Sequence, residues 1–135
     1  MRGALSAYQS TQTVSLDGEQ AFAELYGRLG RWCEEIINAE RESNQAERDA
    51  KISKSIDLLS AMDSLIDVSR NQAVATRIMV LHRFAIKKLV EAKAGSSGKA
   101  LAGLDGMLME MGEIFQIMHE KRTAQGDRES PTRPL

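Results

Sequence analysis

Proline is missing from the first 130 residues of this 135-residue chain, and both prolines, Pro131 and Pro134, lie near its end. Because proline breaks helix interiors, a chain without it can form long helices. No stretch shows the alternating apolar pattern of a β-strand. Aromatic residues make up 4% of the sequence whereas methionine occurs seven times, and methionine is over-used on surfaces that adapt to a partner. The chain is therefore predicted to be all-α.

Other features that the sequence lacks restrict the cellular compartment of the protein and the partners that it can bind. Cys33 is the only cysteine, so no internal disulfide can form and a reducing compartment is expected. The net charge of −1 gives no overall field that would attract nucleic acid or an anionic membrane. The longest apolar run, residues 78–81, is far shorter than the roughly 20 residues that span a bilayer. No basic stretch followed by an apolar run opens the sequence, so we expect a cytosolic protein without a signal peptide.

The length suits one domain with one modest core. Residues 1–17 are predicted to form an irregular N-terminal arm, and residues 123–135 to form a disordered C-terminal tail. Between them, apolar residues recur at spacings of three and four, the pattern of amphipathic helices. The predicted helices are 18–41, 46–69, 72–93 and 99–122. Helices of this length joined by short loops predict an antiparallel four-helix bundle.

Helices two to four carry more apolar residues than one buried stripe needs, and this surplus requires either a second buried neighbour or an outside ligand. In helix three the stripe predicted to face the bundle is Val74, Ile78, Leu81, Ala85, Leu89 and Ala92. The surplus positions that we predict to contact such a ligand are Ile52, Ile56, Leu59, Val80, Phe84, Ile86, Met107 and Ile114. Burial in the core is the open alternative for each of them.

Gly103 and Gly106, one turn apart, predict a place where another backbone comes close, either within the bundle or on a docked partner helix.

Residue patterns that would indicate enzyme chemistry are missing. His82 and His119 lack the Glu three residues earlier that di-iron bundles use, so we expect partly exposed histidines and no metal. The segment 95–99 (Gly-Ser-Ser-Gly-Lys) is too short for a phosphate loop and follows a helix instead of a strand. Cys33 lies in the stripe of helix one and is predicted to be a buried structural residue. We therefore expect no cofactor and no enzymatic activity.

Helix three is locally basic. A nucleic-acid site would need the basic residues of helix three on one face beside aromatics or a recognition helix, and they are scattered. The basic residues therefore indicate either a solvated face or a weak steering patch for an acidic or polar peptide. They are Arg77, Arg83, Lys87, Lys88 and Lys93.

Several motifs resemble those of one known family. The sequence 81–92 (Leu-His-Arg-Phe-Ala-Ile-Lys-Lys-Leu-Val-Glu-Ala) is similar to the Leu-Tyr-x-Tyr-x-x-Arg-Arg-Leu-x-Glu-Ala stretch of the flagellar export chaperone FliS family. Ala7-Tyr8-Gln9 resembles that family's Tyr-Gln opening, and Leu25-Tyr26 its Leu-Tyr in helix one. The chain differs in lacking the family's proline before helix one. The resemblance covers about residues 4–121.

The resemblance implies a cytosolic flagellar export chaperone. Members bind the C-terminal segment of flagellin, prevent premature polymerisation and deliver it to the flagellar type III export apparatus, where an export-gate component is a further partner. By match, Tyr8 and Gln9 contact the client surface and occupy part of it when the client is absent. We expect a monomer or weak dimer. Two alternatives stay open: another flagellar adaptor or chaperone that binds helical peptides, and a structural homodimeric bundle.

Overall fold

The computed structural model describes residues 18–66 and 72–129, with side chains up to residue 125. All regular structure in these ranges is helical, which confirms the all-α prediction. The helices, numbered in chain order, are α1 (Gly18–Arg41), α2 (Gln45–Asp63), α3 (Gln72–Ala94), α4 (Ser97–Ala100) and α5 (Leu104–Glu129).

Two of the predicted helices have nearly the predicted ends: α1 matches 18–41, and α3 ends one residue after the predicted 93. The second predicted helix, 46–69, is shorter in the structure because α2 ends at Asp63. Ser64 terminates it, since its backbone N–H and its hydroxyl both donate to carbonyls of the last turn, the hydroxyl to Ala61 O at 2.6 Å. Hydrogen bonds of this kind satisfy the carbonyl groups that a helix end leaves without partners.

The fourth predicted helix, 99–122, is divided in the structure. A single turn, α4, is followed by a break, and the long helix α5 begins only at Leu104. Gly103 lies in this break with φ of +82°, a left-handed conformation that favours glycine and ends helices. The long helix then continues to Glu129, beyond the predicted end at 122.

Helix α1 is the centre of the arrangement. It packs along α5 on one side and against α2 on the other, and α2 in turn packs against α3. Only residues 42–44 separate α1 from α2, so the two helices run in opposite directions. The core forms where these helices meet, and Cys33 is buried in it as predicted. Burial, and then the nearby Asp105 and Glu34, raise the pKa of its thiol to about 12.

Two glycines allow α1 and α5 to pack closely. A Cβ atom at Gly112 would lie 3.1 Å from the backbone oxygen of Ala23 and 3.3 Å from Cβ of Tyr26. At Gly30 it would meet the side chain of Met109. Close packing within the bundle does not occur at Gly103 and Gly106, because an added Cβ at either position has no neighbour within 4 Å; a docked partner helix at these positions stays a prediction.

A second set of contacts ties four helix ends together. The Glu40 carboxylate, at the end of α1, accepts hydrogen bonds from the backbone N–H of Ser97 at 2.9 Å and of Gly98 at 3.3 Å. Arg48 of α2 donates to Glu40 at 3.1 Å and to the carbonyl of Lys93 at 3.3 Å. The Ser97 N–H contributes most to holding the pKa of Glu40 below its usual value. The segment 95–99, which is too short for a phosphate loop, therefore binds an internal carboxylate.

The predicted arm, 1–17, lies outside the described residues, as does 130–135 of the predicted tail. The division of the chain into arm, bundle and tail stays a prediction. Within residues 18–66 and 72–129, no helix has the length and apolar character needed to cross a bilayer.

The glycine contacts predict opposite effects of the same substitution at two positions of α5. Gly106→Ala should stabilise the fold by up to about 1 kcal/mol, because alanine is the better helix former and space is free. Gly112→Ala should destabilise it by about 1 kcal/mol, since the new methyl group overpacks against the backbone of α1. Urea unfolding of both variants measures the difference. Equal stabilisation by both substitutions would contradict the close packing at Gly112.

Candidate functional site

Large exposed apolar side chains lie on two of the helices. In the part of the chain that the structure describes, every side chain of this kind belongs to α3 or α5. Such side chains are normal when scattered singly, but a contiguous patch marks a place where another molecule binds. They are Val74, Val80, Leu81, Phe84 and Val90 on α3, and Met109, Ile114, Ile117 and Met118 on α5.

On α3, Val80 and Phe84 point away from the bundle. They lie one turn apart, with exposed fractions of 56% and 45%. The residue between them, His82, is fully buried. Because each helical residue advances about 100°, positions two before and two after a buried residue lie roughly opposite it. Val80 and Phe84 therefore form an apolar pair on the solvent side of α3.

On α5, the exposed apolar residues lie beside the buried seam. Met107 is half-buried, and Ile114 and Met118, which follow it at spacings of seven and four, are exposed by 50% and 41%. The next residue after Ile114, Phe115, turns inward, with its ring 5.5 Å from that of Tyr26 and 5.4 Å from that of Phe22. The apolar face of α5 is therefore wider than its buried contact with α1.

The helix residues predicted to bind a client lie in three different environments: exposed, half-buried and fully buried. Val80, Phe84 and Ile114 are exposed, as a client surface requires. Three others are half-buried and pack against the core: Ile56, Ile86 and Met107. Tyr8 and Gln9 lie outside the described residues.

Ile52 and Leu59 are core residues in this structure, each with an exposed fraction of 0%. They therefore offer no surface to a client. The physical reason is that α2 packs against both α1 and α3, so its buried arc is wide and takes up its apolar surplus. On α2 the surplus is explained by a second buried neighbour, whereas on α3 and α5 it remains exposed.

The prediction that His82 is partly exposed is wrong. Its ring is fully buried between helices, where Nε2 lies 2.5 Å from the Tyr26 hydroxyl of α1 and Nδ1 lies 2.5 Å from the Asp63 carboxylate at the end of α2. Burial lowers the pKa of His82, while Asp63 acts in the opposite direction. Burial, and then the charge of Asp63, raise the pKa of Tyr26. Tyr26 and His82 are fully buried and Asp63 is partly exposed, and together the three side chains join α1, α2 and α3.

A signal for this network was present in the spacing of α3. The buried residues are Ala75, His82, Ala85, Leu89 and Ala92. His82 lies seven residues after Ala75 and seven before Leu89, on the same face. The predicted stripe began with Val74, Ile78 and Leu81, and these lie at its edge: Val74 and Leu81 are exposed and Ile78 is half-buried. Ala75 and the hydrogen-bonded His82 occupy the buried positions instead.

No group of three or more His, Cys, Asp or Glu side chains suited to hold a metal ion occurs among the residues that the structure describes.

A family model described as "Flagellar protein FliS" matches residues 1–122 of the chain. The match includes all of α1 to α4 and most of α5. The comparisons with curated proteins and with solved structures return no match.

The buried histidine predicts a pH dependence of stability. The pKa of His82 lies below its ordinary 6.5 in the folded protein, so between that lowered value and 6.5 only the unfolded chain binds the proton. The free energy of unfolding should then fall as the pH drops below 6.5, by at most about 1.4 kcal/mol per pH unit. Urea unfolding between pH 7.5 and 5 measures this slope. His82→Gln should remove it and His119→Gln should keep it; an unchanged slope in His82→Gln would assign the effect to other groups.

Proposed function

The chain belongs to the FliS family, a family of flagellar export chaperones, and we propose that it binds the C-terminal helical segment of flagellin in the cytosol. Binding keeps this segment from polymerising before export. The chaperone then delivers it to the flagellar type III export apparatus. The observation that supports this proposal is the outward apolar pair Val80 and Phe84 on α3.

The surface fits a client of this kind. An amphipathic helix binds through apolar residues that recur every three or four positions and meet a complementary apolar strip. Val80 and Phe84 supply such a strip on α3, and Ile114, Ile117 and Met118 supply another on α5. Three of these five residues are aliphatic and one is methionine, a side chain that adapts its shape to a partner. Two strips on one bundle suit a client segment that forms more than one helix.

A substitution at Val80 tests the proposal. Val80→Glu should weaken binding of the C-terminal forty or so residues of flagellin from the same organism by at least about tenfold, or 1.4 kcal/mol, because it buries a charge in an apolar contact. Val90→Glu is the matched control. Val90 lies on the same helix and has an exposed fraction of 54%, against 56% for Val80. Its position is rotated from that of Val80 by about 80° around the helix axis and displaced by about 15 Å along it. Fluorescence anisotropy with a labelled segment measures both affinities.

Urea unfolding of the two variants tests whether the substituted residues lie on the surface or in the core. Both variants should unfold at the same urea concentration as the parent protein, since both positions are exposed. Equal affinities of the two variants would remove Val80 from the client surface. Failure of the parent protein to bind the segment at micromolar concentration would contradict the proposed function itself.

The N-terminal arm has a separate proposed role. Tyr8 and Gln9 occupy part of the client surface when no client is bound, as the family resemblance implies. Deleting residues 1–14 should therefore raise the affinity for the flagellin segment or leave it unchanged. A loss of more than about tenfold, measured in the same anisotropy experiment, would mean that the arm helps to hold the client.

A further inference from the structure

Positive charge is concentrated on α3. This helix carries five basic residues and one acidic residue. The other long helices have an acidic excess, with five acidic and three basic residues on α1, four and three on α2, and six and three on α5. The net charge of −1 for the whole chain therefore hides a separation of charge between one helix and the rest.

The basic residues surround the outward apolar pair. Arg77 precedes Val80 by three residues and Lys87 follows Phe84 by three, so all four lie along the solvent side of α3. We call these four residues, with Lys88, the α3 outer face. The Lys88 ammonium lies 5.6 Å from the centre of the Phe84 ring, within the range of a cation–π contact. A group that packs on Phe84 therefore meets a cation at its edge.

These cations are available to a partner. Within the described part of the chain, Arg77, Arg83 and Lys87 form no ion pair. Lys88 pairs with Glu91 at 3.3 Å, and exposed pairs of this kind contribute little. The protein thus keeps several unpaired cations next to its outward apolar side chains.

From this arrangement we infer that the α3 outer face selects an acidic amphipathic helix, in which Asp or Glu residues flank the apolar residues that contact Val80 and Phe84. The inference rests on the proposed function, because that helix is part of the flagellin segment. Opposite charges at the rim of an interface raise the association rate and suppress wrong partners more than they raise affinity. The face therefore provides selection, and the apolar pair provides most of the binding free energy.

Two other occupants fit less well. A nucleic acid would use the cations, but the face carries one aromatic ring, Phe84, whereas proteins that bind single strands stack successive bases on several. A second copy of this chain could place its α5, with Glu110 and Ile114, against α3. That contact would join two different faces of the chain. The assembly would then have one unpaired face at each end, unless the copies closed into a ring.

The first experiment changes the charge of the face. Arg77→Glu/Lys87→Glu should weaken binding of the flagellin segment by about tenfold at low salt, since the two substitutions turn attraction to the acidic residues of the segment into repulsion. Lys54→Glu/Lys99→Glu, at two exposed positions outside α3, makes the same change of net charge and should have little effect. Raising NaCl from 0.05 to 0.5 M should weaken binding to the parent protein and not to the α3 variant. Equal affinities of the two charge variants would overturn the inference.

The second experiment changes the partner. A flagellin segment with its Asp and Glu residues replaced by Asn and Gln should bind the parent protein more weakly and should bind the Arg77→Glu/Lys87→Glu variant without further loss. Undiminished binding of the neutral segment, together with its loss in Val80→Glu, would overturn the inference and leave the proposed function standing. No binding of either segment would remove the proposed function and this inference with it. Binding of a single-stranded RNA oligonucleotide, or a dimer mass that Ile114→Glu abolishes, would assign the face to another occupant and overturn the inference.

Discussion

The packing of Tyr26 is the contact on which the rest of the structure depends. Its ring lies 5.5 Å from that of Phe115 on α5, its Cβ lies beside Gly112, and its hydroxyl lies 2.5 Å from His82 on α3. His82 extends the connection to Asp63 at the end of α2. One side chain of α1 thus touches or reaches all three other long helices. A buried polar network of this kind favours one arrangement of the helices, because any other leaves polar groups without partners.

This network also determines the surface. Once His82 faces inward, the rotation of α3 about its axis is fixed, and Val80 and Phe84 must face solvent. Replacing the network by apolar residues would remove that constraint on the rotation. The apolar pair proposed to hold a client is therefore placed by the burial of the opposite face of α3, to which His82 and four apolar residues belong. Its exposure is a consequence of packing rather than a local property of the sequence.

The extent of the helices could be predicted from the sequence wherever local signals agree. Apolar spacing and the absence of proline gave α1 and α3 almost to the residue. The end of α2 was missed because Ser64 terminates it through hydrogen bonds that periodicity does not reveal. The division of the fourth helix was missed because Gly103 looks like any other glycine in a sequence, and its positive φ appears only in the structure.

The candidate surface could be predicted in part, and the reason is physical. The sequence by itself determined that the chain is helical and that helices two to four carry more apolar side chains than one contact can bury. Only the tertiary structure decided which of them stay exposed. Ile52 and Leu59 are buried because α2 packs against both α1 and α3, whereas Val80 and Phe84 are exposed because they lie opposite the buried face of α3. Periodicity records the face on which a side chain lies, but burial depends on how many helices that face meets.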